Sequence, residues 1–200
     1  MKENSVLRRE AATSLDGKWT TSALFVLVFF IILVVVNCLL SALELISDSM
    51  DALGSLLSAF FAVVLEYGAV VAFLHQFRGR EIQISNLFDG FKSGPFSTMI
   101  LMTVYTYLWA LLLVIPGIIK SYSYALTPYL VNDEGLQNNA AIEKSMAMMQ
   151  GKKMKLFLLD LSFIGWYILG LIPLGLGTLW VYPYHNSARA AFYEDVKAEA

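Results

Sequence analysis

Long runs of apolar residues are the feature of this sequence that most constrains its fold. Phe25–Val36 contains no polar side chain, and it belongs to an apolar run from about Ser22 to Leu43. A helix needs about 20 consecutive apolar residues to cross the hydrocarbon core of a bilayer. Of all residues, 58% are hydrophobic and only 15% are charged, whereas about a quarter are charged in soluble domains. The chain is therefore predicted to be an all-α polytopic membrane protein.

Several such runs follow one another along the chain. They predict about six transmembrane helices in three hairpins, with short amphipathic interfacial helices between them. The predicted spans are roughly Ser22–Leu43, Leu53–Phe77, Phe96–Ile115, Gly117–Val131, Met154–Leu171 and Leu174–Ala190.

Prolines and a glycine mark two of the predicted hairpin turns. Pro116 and Gly117 interrupt the apolar pattern between the third and fourth spans, and Pro173 interrupts it between the fifth and sixth. Proline removes a backbone donor and clashes with the preceding helical turn, whereas glycine accepts the dihedral angles of a turn. We therefore expect Ile115–Tyr124 to contain the tight turn of a membrane hairpin.

The whole chain is predicted to form a single membrane domain, residues 1–200. Leu7, Ala11 and Leu15 recur at helical spacing near its start, which predicts a short helix whose apolar face rests on the membrane surface. The predicted parts are a cytoplasmic amphipathic segment (1–21), a first hairpin (22–77), an interfacial helix with a second hairpin (78–131), an interfacial helix with a third hairpin (132–193) and a cytoplasmic tail (194–200).

The distribution of charge indicates that both termini lie in the cytoplasm. With six spans, the Lys and Arg residues of the connections fall on the cytoplasmic side, in agreement with the positive-inside rule. The external stretch from Glu44 to Gly54 has acidic residues but no Lys or Arg. A five-span alternative treats Met99–Val131 as one long kinked helix. It would place Lys152–Lys155 outside, so the six-span topology is preferred.

The second and third hairpins show an internal similarity. Each contains a glycine, a tryptophan and an Ile-Pro turn in the same order and at the same spacing. Both copies would enter the membrane from the same side, which predicts a parallel repeat; chance matching among common membrane residues is the alternative. The matched pairs, all offset by 57 residues, are Gly94 with Gly151, Trp109 with Trp166, and Pro116 with Pro173.

Three ionisable residues within the predicted spans form the candidate polar site. Glu66 lies near the middle of the second span, Asp160 about two turns into the fifth and Lys120 about one turn into the fourth. A charge in hydrocarbon is costly, so such residues often mark binding sites or transport pathways. The alternative is that each faces inward and hydrogen-bonds a neighbouring helix. The predicted depths of Glu66 and Lys120 do not match well enough to predict a direct pair.

Tyrosines are concentrated in the third and fourth predicted spans. They line a cavity between helices on one interpretation, and form an interfacial aromatic belt on the other. These residues are Tyr105, Tyr107, Tyr122, Tyr124 and Tyr129.

No catalytic, cofactor or metal site is predicted. Cys38 is the only cysteine, and His75 and His185 are the only histidines, which is a poor ligand set for zinc. No phosphate-binding loop, metalloprotease motif or nucleophile elbow occurs. A net charge of −2 without a basic tail gives no reason to expect a nucleic acid partner.

Several short motifs along the chain form a joint pattern. It consists of Ile115–Tyr124, Ala141-Ile142 with Gly151, Leu161–Trp166, Pro183-Tyr184 and Ala191–Tyr193. This pattern resembles the bacterial DUF975 membrane proteins over nearly the whole chain. The resemblance implies an integral, multi-pass protein of a bacterial inner or plasma membrane. It implies no activity, because that family is uncharacterised.

Two functions from different classes are consistent with the sequence. The first is a non-enzymatic membrane component that acts by interaction with the bilayer and a membrane protein partner or a second copy of itself. The alternative is a small transporter or lipid-handling protein that uses the polar site around Glu66 and Asp160. A membrane-embedded hydrolase ranks third, because no paired acid and base are predicted at one depth.

Overall fold

The computed structural model describes residues 1–44 and 51–199, and every regular element in this part of the chain is a helix. The all-α class is therefore confirmed. The predicted loop between the first two spans falls mainly on residues 45–50, outside the described residues. The α-helices are α1 (Asn4–Ser14), α2 (Trp19–Glu44), α3 (Asp51–Phe77), α4 (Ser93–Leu112), α5 (Val114–Tyr124), α6 (Thr127–Glu134), α7 (Asn139–Met148), α8 (Lys153–Leu171) and α9 (Thr178–Lys197), and a 3-10 helix (Ile84–Phe91) precedes α4.

Three of the described helices are long and apolar enough to cross a bilayer. The membrane-length segments are Trp19–Ala42 in α2, Leu53–Phe77 in α3 and Lys153–Leu171 in α8. They coincide with the predicted first, second and fifth spans, because each is a long apolar block bounded by polar residues or by a turn. These helices are compatible with a membrane location.

Helix α9 lies at the centre of the fold. It packs against α1, α2, α3 and α8. Ala188, Ala190 and Ala191 are almost completely buried, and small side chains of this kind let neighbouring helices approach closely. Phe192 and Tyr193 are fully buried beside them, so the C-terminal half of α9 is the core around which the other helices are arranged.

The apolar face of α1 is directed toward this core. Leu7, Ala11 and Leu15 are fully buried, and α1 packs mainly against α9. Their spacing of four residues places them on one stripe of the helix. The amphipathic helix predicted from this spacing is present, but its apolar face contacts α9 rather than the membrane surface.

The chain reverses between α4 and α5 at Leu113, where the backbone is extended (φ −164°, ψ 139°). Pro116 lies in the first turn of α5, where no helical hydrogen bond requires the N–H that proline lacks. Gly117 faces α4, and a Cβ atom on it would lie 2.7 Å from the Cα atom of Ala110. The break thus comes just before Pro116, and Gly117 allows the two helices to pack closely.

Two glycines, Gly170 and Gly177, lie in contact where α8 is joined to α9. Pro173 lies in the turn between them, and Leu174 and Gly175 have positive φ angles of 55° and 82°. A Cβ atom on Gly177 would lie 2.6 Å from the Cα atom of Gly170. The end of α8 and the start of α9 are therefore in backbone contact.

The predicted fourth span consists of two short helices, α5 and α6, with a break between them. The hydroxyl of Ser145, in α7, donates a hydrogen bond to the carbonyl oxygen of Ser123 at 2.8 Å. The hydroxyl oxygen of Ser145 also accepts a hydrogen bond from the backbone N–H of Leu126 at 3.2 Å. All three residues are buried. Ser145 thus satisfies backbone groups that the break leaves without helical partners, and α7 packs over the break.

The 3-10 helix lies beside the middle of α3. A Cβ atom on Gly68 would lie 2.4 Å from the carbonyl oxygen of Leu87, and one on Gly90 would lie 2.2 Å from that of Val64. Val64 precedes the end of α3 at Phe77 by about 20 Å of helix. The segment predicted as an interfacial helix therefore folds back along α3 rather than lying at its end.

Candidate functional site

A cavity of about 440 Å³ lies between α3, α4, α5, α6 and α9. Apolar and hydroxyl-bearing side chains share its wall with one carboxylate and one guanidinium group. A volume of this size is typical of small-molecule sites. The polar lining residues are Glu66, Thr103, Thr106, Tyr107, Ser121, Tyr122, Tyr124, Tyr129 and Arg189.

Glu66 lines this cavity from α3. Its Oε2 atom accepts a hydrogen bond from the hydroxyl of Tyr182 at 2.8 Å. Tyr182 is held in turn by aromatic contacts with Phe29 and Phe73, at ring-centroid distances of 5.8 and 6.0 Å. The carboxylate is therefore fixed by one neutral donor, and that donor is fixed by packing.

Arg189 lines the cavity from α9 and is paired with Asp160. Its Nε atom donates to Oδ1 at 3.0 Å and its Nη2 atom donates to Oδ2 at 2.5 Å. This two-point arrangement is the strongest form of an arginine–carboxylate pair. His185 approaches Asp160 Oδ1 with Nε2 at 2.8 Å, and its Nδ1 atom lies 3.2 Å from the hydroxyl of Tyr167. Asp160 thus anchors α8 to α9 behind the cavity.

The third predicted ionisable residue, Lys120, is directed elsewhere. Its Nζ atom lies 4.7 Å from the ring centroid of Trp109, which is a cation–π contact. It lines a separate cavity of about 280 Å³ together with Tyr105 and Glu143. Among the predicted polar residues, Glu66 therefore lines the main cavity, Asp160 acts on it through Arg189, and Lys120 does not reach it.

The tyrosines identified in the sequence line the two cavities, and Tyr124 belongs to both. Tyr107, Tyr122, Tyr124 and Tyr129 line the larger one, and Tyr105 lines the smaller one, where its hydroxyl donates to Asn139 Oδ1 at 3.1 Å. The cavity-lining interpretation thus holds for this group. Arg189 was not among the predicted site residues, because at the end of the last apolar run it resembled a cytoplasmic topology signal.

A second polar cluster ties helix ends together around Asp133. Both Nη atoms of Arg78, the Nζ atom of Lys197 and the hydroxyl of Tyr193 donate to its carboxylate, at 2.5–3.0 Å. Burial raises the pKa of Asp133, but these hydrogen bonds outweigh burial and hold that pKa well below its ordinary value. The Asp133 side chain is only 5% exposed. Asp133 was not among the predicted site residues, so this cluster was not predicted.

The described residues contain no group of three or more His, Cys, Asp or Glu side chains placed to hold a metal ion. The larger cavity offers hydrogen-bonding groups, π faces and charge. The hydroxyl of Ser121, on the cavity wall, donates a hydrogen bond to the Ile118 carbonyl within α5. These groups can hold a molecule inside the cavity.

Comparison with known proteins identifies one family. The family described as a protein of unknown function (DUF975) matches two overlapping stretches, residues 1–119 and 98–200, which together cover the chain. No curated protein and no solved structure matches the chain.

Proposed function

The chain belongs to the DUF975 family, and we propose that it is a non-enzymatic, multi-pass membrane protein that binds a small molecule or lipid in the cavity lined by Glu66 and Arg189. One observation carries this proposal. Two ionisable groups from α3 and α9 face one cavity inside a bundle whose long helices have membrane-spanning length. Ionisable side chains inside a membrane-spanning bundle are costly and usually serve a function.

The proposed topology has six spans in a bacterial inner membrane, with both termini on the cytoplasmic side. Contacts between basic segments and the end of α9 support it. The backbone N–H of Lys2 donates to Asp195 at 2.8 Å, and Lys155 Nζ lies 3.7 Å from the same carboxylate. Arg78 donates to Glu194 at 2.6 Å. The basic segments thus gather at one end of the molecule, as the positive-inside rule requires of a cytoplasmic face.

An accessory role without a ligand is the competing function. The tip formed by the end of α4 and the start of α5 is highly exposed, with Leu111 at 83% and Ile115 at 72%. Lipid tails cover such a surface as well as a partner protein does. The exposed tip therefore favours neither function, whereas the cavity favours ligand binding.

The test is to extract the protein in native lipid patches and identify bound molecules by mass spectrometry. The variant Thr106→Phe adds bulk inside the cavity. Val104→Phe adds the same bulk on the same helix at a residue that is 46% exposed, and serves as the matched control. We expect a molecule enriched over bulk lipid that is retained with V104F and lost with T106F. Identical small molecules in all three preparations would refute the proposal, and a stoichiometric protein alone would favour the accessory role.

A further inference from the structure

We propose that the ligand of this cavity carries a positively charged amine or onium group, and that Glu66 is the residue that binds it. This inference rests on the proposed function and names the chemical class of the ligand. It follows from the charge balance of the cavity, the nature of its walls and the surface onto which it opens.

The charge of Arg189 is already matched. Both carboxylate oxygens of Asp160 accept hydrogen bonds from its guanidinium group, so an anionic ligand would compete with a fixed two-point pair whose carboxylate is only 12% exposed. Exchanging such a pair for a mobile anion is unfavourable, because Asp160 would then lose a close cationic partner. Arg189 therefore shapes the wall of the cavity more than it attracts anions.

The charge of Glu66 is not matched. Within residues 1–44 and 51–199, its carboxylate receives one hydrogen bond, from the neutral hydroxyl of Tyr182, and forms no salt bridge. Lys120, the basic residue considered as its partner in the sequence, lies over Trp109 in the neighbouring cavity. The cavity thus presents one carboxylate whose only cationic neighbour among the described wall residues, Arg189, is paired with Asp160, and a bound cation would supply a partner of its own.

The walls are suited to a lipophilic cation. Tyr107, Tyr122, Tyr124 and Tyr129 surround the cavity, and the faces of aromatic rings attract ammonium and onium groups. Tyr107 is 65% exposed and lies one turn before Leu111, which is 83% exposed, on the outer face of α4. Because this face is apolar, the cavity communicates with the region of the membrane rather than only with water. A ligand entering there needs apolar groups as well as a charge.

Two ions of matched size and opposite charge test this inference. Tetraphenylphosphonium and tetraphenylborate are titrated into the full chain in lipid nanodiscs, and binding is followed by tryptophan fluorescence. We expect saturable binding of tetraphenylphosphonium alone. Glu66→Gln should weaken it by about tenfold or more, whereas Glu66→Asp, which keeps the charge, should retain most of the affinity. Thermal unfolding of each variant verifies that it is folded.

Each other outcome overturns the inference. Equal binding of the two ions, preference for tetraphenylborate, or unchanged affinity in folded E66Q would show that Glu66 does not select cations. If tetraphenylborate binds and T106F abolishes that binding, the proposal that the cavity binds a ligand would stand, but the inference that the ligand is a cation would be wrong. Binding of neither ion would reject the cation class, and the native-patch comparison of T106F with V104F would still decide the proposed function separately.

Discussion

The two Nη atoms of Arg78 donate hydrogen bonds to the two carboxylate oxygens of Asp133, at 2.6 and 2.5 Å. Arg78 follows the end of α3, and Asp133 lies in the last turn of α6. Lys197 near the end of α9 donates to the same carboxylate at 2.6 Å. One side chain thus fixes the ends of three helices that surround the cavity.

Replacing Asp133 should therefore destabilise the fold. Asp133→Asn leaves Arg78 and Lys197 without their carboxylate, and we expect a loss of about 1–3 kcal/mol in the free energy of unfolding. The neighbouring Glu134→Gln is the control. Among the residues that the structure describes, Glu134 pairs only with Lys144, and the two side chains are 30% and 43% exposed, so its loss should cost about 0–1 kcal/mol. Thermal unfolding in detergent followed by tryptophan fluorescence compares them, and equal losses would contradict the prediction.

The same cluster predicts a pH dependence. The pKa of Asp133 is lower in the folded protein than its ordinary value, which is about 3.9. Its contribution to stability is therefore fully present above about pH 4 to 5 and is lost as the pH falls further toward the folded-state pKa. We expect D133N to lose less stability than wild type between pH 5 and pH 3, as measured by thermal unfolding. Parallel curves for the two proteins would show that Asp133 is not the group responsible.

The break between α5 and α6 should depend on one hydroxyl group. Ser145→Ala leaves the buried N–H of Leu126 and carbonyl of Ser123 without their shared partner, at an expected cost of about 1–3 kcal/mol. Ser162→Ala is the control, because the Ser162 hydroxyl donates to the Leu159 carbonyl of its own helix. Its effect should stay within about 0.5 kcal/mol. Since α5 and α6 both line the cavity, S145A should also weaken ligand binding, and an effect no larger than that of S162A would argue against this bridge.

Much of the helical arrangement could be predicted because it follows from local pattern. The long apolar blocks Ser22–Leu43, Leu53–Phe77 and Met154–Leu171 each correspond to a helix within a few residues, since hydrophobic length alone specifies such elements. Breaks were harder to place. The chain reverses at Leu113 rather than at Pro116, because proline is tolerated in the first turn of a helix.

The site was only partly predictable for a different reason. Glu66 and Asp160 stand out because an acid is rare in apolar sequence. Their partners do not, since Tyr182 and Arg189 belong to a different helix and are ordinary residues in their own surroundings. Asp160 and Arg189 are 29 residues apart, and no helical or strand periodicity relates positions at that distance. Pairings of this kind become visible only once the helices are packed.

Two glycines that both lie within helices should respond differently to alanine. A Cβ atom on Gly117 would lie 2.7 Å from the Ala110 Cα atom, whereas nothing lies within 4 Å of one on Gly165. Gly117→Ala should therefore push α4 and α5 apart and cost about 1 kcal/mol or more. Gly165→Ala should be neutral or stabilise α8 by up to about 1 kcal/mol, because alanine has the higher helix propensity. Thermal unfolding of both variants decides, and a neutral G117A would show that this contact is loose.

Cysteine labelling should locate the ends of α8 and the tip between α4 and α5. In a Cys38→Ser background, Lys152→Cys should react with a membrane-impermeant maleimide only after the cytoplasmic side is exposed. Leu174→Cys and Leu113→Cys, at positions that are 97% and 64% exposed, should react in intact cells, because six spans place both turns outside. Leu161→Cys in the middle of α8 should react from neither side. Labelling of K152C in intact cells would favour five spans, since an odd number of crossings before residue 152 reverses the orientation of α8.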